Sequence, residues 1–175
     1  SSFLNPFNYG LLLRSDTRNN PVKIQIDIDN QGYIHVKVLN CSAITPNGCR
    51  IEINEANFSD NDLLAEMPYL KFTPEKVNSK EYYISLTVNL FERVPFGIPN
   101  PEEMPPRLPG VMPGYHLSVH GSEEKETISG PNSIIIGKLI LVDNKPEIDD
   151  SYIPACQLIY SHPKLAEYHA QLVKI

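Results

Sequence analysis

Histidine and cysteine are the side chains through which a protein most readily holds a metal or mounts a nucleophile. This 175-residue chain has five histidines and three cysteines. His116 and His120 stand four apart, a spacing that suits zinc when both lie on one helix face. The intervening Leu117, Ser118 and Val119 read as strand, which sets the pair roughly 13 Å apart at about 3.3 Å per residue, too far for one ion. His162 and His169 lie seven apart at a helix start, and no cysteine or carboxylate pair is placed to complete a tetrahedron. Cys41 and Cys49 are spaced to face each other across the turn "TPNG" (45–48), but a zinc site would need a second pair, and small buried side chains are the plainer reading. "SDND" (59–62) lacks the glycine and distal glutamate of a calcium loop and fits the cap of a short helical turn, "NDLLAEM". "EEKE" (123–126) fits a solvated hairpin tip. The sequence has no G-x-S-x-G and no glycine-rich phosphate loop. The expectation is a protein without catalytic residues, metal or cofactor.

The elements that would position these groups are strands. "VKIQIDID" (22–29) alternates strictly, with Ile24, Ile26 and Ile28 on one side and Gln25, Asp27 and Asp29 on the other. "NQG" then turns the chain into "YIHVKVLN", and Gly32 supplies the positive φ of a hairpin. "TPNG" leads into "CRIEIN", with Ile51 and Ile53 inward. "EYYISLTVNLFE" (81–92) places Tyr82, Ile84, Leu86, Val88 and Leu90 on one face and Tyr83, Ser85, Thr87 and Asn89 on the other. "YHLSVHG" (115–121) and "SIIIGKLILVD" (133–143) add two more strands. The second of these is apolar on both faces, as a central, doubly covered strand would be. Residues 55–80 read as irregular. Six or so strands with polar turns predict a mainly β fold, an antiparallel β-sandwich with a C-terminal helix. That helix starts at Ser161, has Pro163 in its first turn, and carries Leu165, Tyr168, His169, Leu172 and Val173 at helical spacing. Its apolar stripe calls for a partner surface.

From Val94 to Gly114, seven of the 16 prolines fall in 21 residues. The one P-x-x-P, "PRLP" (106–109), could serve as a polyproline ligand. Phe96, Ile98, Met104, Leu108, Val111 and Met112 are more apolar than a linker's residues, which favours an ordered arm covered by its own sheet or by a neighbour.

The net charge of −6 argues against nucleic acid as partner. The longest apolar run, "SIIIGKLILV", is too short to span a membrane, no secretory signal is visible, and three cysteines point to a reducing cytoplasm. A start at "SSFLNPF" without methionine, and a helix without a stop signal, suggest the front portion of a longer protein.

Several stretches in order carry a family resemblance. "PPRLPGVMPGYHL" is followed by a hairpin and then by "IIIGKLILVDNKPEIDDSYIPACQLIYSHPKLAEYHAQL". This resembles the TssK family of type VI secretion baseplate subunits. That family shows an arginine-proline segment leading to P-x-Y-x-L (here Arg107 to Leu117), I-x-I-G-x-I (Ile134 to Leu139), D-x-x-Y-I-P-x-C (Asp149 to Cys156) and a helix start S-x-x-L, which corresponds here to Ser161 to Leu165 with one residue more between them. "ITPNGCRIEI" also looks like a family feature. The family's N-terminal F-L-x-P-x-H-F is matched only by "FLNP" and an aromatic. The resemblance implies a sandwich "shoulder" like that of phage receptor-binding proteins over 1–160, including the arm 94–114, and the start of a trimerising helical neck over 161–175. It also implies a non-enzymatic role in the cytoplasm near the inner membrane: the shoulder docks on the TssF–TssG wedge, and a region further on reaches the membrane complex. Contacts are expected at Met104, Arg107, Leu108, Val111 and Met112 on the arm, and at Leu165, Tyr168 and Leu172 on the helix. The alternatives are a phage-tail shoulder and a ligand- or carbohydrate-binding sandwich. The nine tyrosines favour the latter and the lack of tryptophan disfavours it.

Overall fold

The computed structural model describes residues 9–12, 21–55, 67–74, 80–96, 102, 104–105, 110–122, 130–156, 167–168 and 170–172. The first hairpin forms where the alternation placed it. β2 (Val22–Ile28) pairs antiparallel with β3 (Ile34–Ile44), and Gly32 closes the turn at φ 83°. Asp29 fixes that turn by accepting from the backbone N–H groups of Gln31 (2.9 Å) and Tyr33 (3.0 Å), the local bonding that aspartate offers a loop. β3 organises the first sheet. It holds β2 and the two-residue β1 (Gly10–Leu11) along one edge, and β4 (Arg50–Asn54) and β5 (Tyr69–Phe72) end to end along the other. Two expectations are corrected here. The stretch 55–80 contains a strand, β5. Cys41 pairs with Ile53 while Cys49 lies in the turn, so the two cysteines do not face each other, because the Thr45–Cys49 turn sits one step beyond the Ile44–Arg50 pair.

The second sheet runs β7–β6–β8–β9, built from β6 (Glu81–Phe96), β7 (Gly110–Gly121), β8 (Ser133–Val142) and β9 (Lys145–Ile148). The β8–β9 turn puts Asp143 at φ 50° and Asn144 at φ 61°, the left-handed pair of a two-residue hairpin. β8 lies inside this sheet, as its apolar composition required. On the face away from the core, Tyr83 and Ser85 of the neighbouring β6 are also buried, and Tyr152 meets the Tyr83 ring edge-on at 5.6 Å. Tyr82, Ile84, Leu86 and Val88 point into the core as expected. Leu90 does not: it is half-exposed, because the pairing slips between Asn89 and Arg93.

The two sheets pack face to face, with β2 over β9 and β5 over β7. Ile34, Val36, Val38, Ile51 and Ile53 of the first meet Ile84, Leu86, Leu117, Ile134 and Leu139 of the second in one core. Each such side chain contributes about 1.5–3 kcal/mol by leaving water. Polar bonds close one end. The Asn47 N–H donates to the Pro131 carbonyl (2.8 Å), its side-chain amide to Asn132 Oδ1 (3.2 Å), and the Cys49 thiol to the same oxygen (3.7 Å). At Gly10 (φ 127°) the backbone passes so near Ala155 that a Cβ would lie 2.6 Å from its carbonyl oxygen. The Leu11 N–H donates to that same oxygen at 2.8 Å.

Candidate interaction surface

The groups suited to chemistry are dispersed. Among the described residues no three histidine, cysteine or carboxylate side chains gather in a way that could hold a metal. Cys41 is fully buried, which pushes its thiol up to about 12, and burial pushes Cys156 up to about 11; both are protonated and unreactive at neutral pH. His116 lies on the outer face of β7, with Nε2 2.6 Å from Glu92 Oε2.

One polar cluster escaped the sequence reading. On the outer face of the first sheet His35 lies between Asp29, 2.9 Å from its Nε2, and the Tyr69 hydroxyl, 2.5 Å from its Nδ1. Lys71 sits 3.6 Å from Asp29 and 4.2 Å above the Tyr33 ring. The hydrogen bond from His35 holds Asp29 down at about 2, with help from the Tyr33 and Gln31 amides and the Lys71 charge. With a neutral imidazole, the phenol donates to Nδ1 and Nε2–H donates to the carboxylate. The chain of bonds pins β5 to the β2–β3 hairpin. Residues 34 apart in sequence meet because β5 pairs with the first half of β3, a register no local pattern announces.

The surface suited to contact is the ribbon that β6 and β7 continue past Asn89. Ladder pairs join Arg93 to Pro113, Val94 to Met112, Pro95 to Val111 and Phe96 to Gly110, so both ends of the expected proline arm are strand. Between Asn89 and Arg93 the partner strand advances only from Gly114 to Pro113, and Leu90, Phe91 and Glu92 form a three-residue bulge. Phe91 is 97% exposed and Leu90 51%. Met104, on the connection beyond, is 93% exposed, so this chain's own sheet does not cover it. Val111 and Met112 occupy the stated ladder positions. Arg107, Leu108 and Leu165 lie outside the described residues, as do "SDND", "NDLLAEM" up to Glu66, and "EEKE". Tyr168 and Leu172, four apart on the C-terminal helix, are 52% and 70% exposed. Sequence reasoning missed Leu90 and Phe91, since an aromatic in an alternating strand carries no sign that the pairing breaks beneath it. Among the described residues no helix is long and apolar enough to cross a membrane.

No family model and no curated protein matches the sequence. Among solved structures, the fold superposes on that of TssK from the type VI secretion system of EAEC, determined in complex with nanobody nb18, with a TM-score of 0.51 at 15% identity. The match covers 89% of this chain. This chain has a TssK-like fold. It spans about half the length of that structure, 54%. The likeness fits the mainly β, antiparallel architecture, and the TssK resemblance read from the sequence agrees with it at the level of the fold.

Proposed function

We propose that this chain is the shoulder, with the beginning of the neck, of a baseplate subunit in a contractile secretion machine, and that it works by protein–protein contact and not by catalysis. The observation that carries this reading is the fold likeness to TssK over 89% of the chain. Residues 1–160 form the shoulder and 161–175 begin the neck. The shoulder docks on the TssF–TssG wedge through the ribbon and arm, with Met104, Arg107, Leu108, Val111 and Met112 in the contact. Leu165, Tyr168 and Leu172 face two further copies in a trimeric neck. The exposure of Tyr168 and Leu172 supports this, because an apolar stripe on a helix is stable in water only when covered. The protein acts in the cytoplasm near the inner membrane and reaches the membrane complex only through a region beyond this chain. Neither a cofactor nor nucleic acid takes part.

The test is retention of purified TssF–TssG from the same organism on the immobilised protein, alongside the double variant Leu108→Asp and Met112→Asp. The wild type is expected to retain both wedge proteins and the variant to lose them. Failure of the wild type to bind, or full binding by the variant, contradicts the respective claim.

A further inference from the structure

We infer that the bulge at Leu90–Glu92 is a built mount for an aromatic anchor, and that Phe91 enters an apolar pocket on a partner protein. This deepens the docking role proposed above and rests on it. A bulge re-aims side chains, and here the re-aiming is held by specific bonds. The Phe91 N–H donates to Asn89 Oδ1 (3.1 Å), and the Asn89 amide reaches Glu92 Oε2 (3.5 Å). Glu92 then folds back across the neighbouring strand to His116, 2.6 Å away. Gly114 makes this possible, because a Cβ there would run into the Glu92 carboxylate. Asn89, Glu92, Gly114 and His116 thus fix the backbone on both sides of Phe91, and the ring itself is left 97% exposed with Leu90 beside it. An aromatic on a fixed backbone has already lost the backbone freedom that binding would otherwise cost, and buried aromatics are frequent interface anchors.

The geometry and charge point to a different protein as occupant. A knob is not self-complementary, as a two-fold contact between identical patches requires, so it fits a concavity better than a second copy of itself. The net charge of −6 opposes an anionic lipid surface. The matching surface is therefore a protein pocket with an apolar floor.

The experiment titrates purified TssF–TssG wedge complex against the wild-type protein and against Phe91→Ala, Phe91→Leu and Ile28→Ala. Ile28 is also half-exposed but lies at the end of β2. Phe91→Ala is expected to weaken binding by at least about tenfold, the scale of an anchor residue, and Phe91→Leu by less. Ile28→Ala is expected to stay within about twofold, and all three variants to keep the wild-type melting temperature, since neither site is in the core. Wild-type affinity in Phe91→Ala, while the wild type binds, overturns the anchor and leaves the docking role standing. No binding by the wild type overturns both. Light scattering that shows Phe91→Ala dissociating a self-associated form, or Phe91-dependent sedimentation with phosphatidylglycerol vesicles, overturns the choice of partner.

Discussion

Asp29 turns a loop into a pH-dependent fastener. Its folded-state value of about 2 lies below the ordinary 3.8, first because His35 donates to it. A lowered carboxylate contributes stability that is fully present above the unfolded value and is lost as pH falls through the folded one. The urea midpoint of the wild type should therefore drop between about pH 4 and pH 2, with Asp29→Asn flatter over that window and lower at neutral pH. Equal slopes for the two proteins would contradict the role assigned to His35. At the other end of the sandwich, Gly10→Ala would force a side chain against the Ala155 carbonyl at a φ that L-residues avoid. A loss of about 2 kcal/mol or more is expected in thermal or chemical unfolding. Gly32 was legible as a turn residue because its neighbours set the turn. The need for glycine at position 10 comes from the Ala155 backbone 145 positions away, and the sequence does not carry it locally.

At the scale of elements, alternation exposed the strands that bury one face over many residues. β2, β3, β4 and β8 follow from it, as do β6 up to Glu92 and β7 from Tyr115 onward. β5 and β9 have four residues each, too few for a period to stand out, although the Asp143–Asn144 pair was a usable hairpin signal for the second. The bulge in β6 was invisible for the opposite reason: Leu90 keeps the alternation that the pairing abandons. One contact between elements is open to a quantitative test. Asn132 Oδ1 accepts from both Asn47 and Cys49, joining the β3–β4 turn to the approach to β8. Asn132→Ala and Asn47→Ala should each cost about 1 kcal/mol and be sub-additive in a double-mutant cycle, as partners in one bond are. Additive losses would mean that the side-chain bond contributes nothing.

For the whole molecule, two sheets with one apolar face each leave the core as the only stable arrangement, and that much was readable from periodicity. What the molecule does was not readable in this way, because it depends on what remains outside the core: Phe91 and Met104 on the ribbon, and Tyr168 and Leu172 on the helix. In the role proposed above, these are the surfaces that join the chain to its neighbours. The most direct measurement is hydrogen–deuterium exchange of the protein alone and in the presence of purified TssF–TssG. Slower exchange is expected across residues 89–114 when the wedge is added, with β2 and β9 unchanged. Unaltered exchange in that ribbon, with binding established, would contradict docking through it.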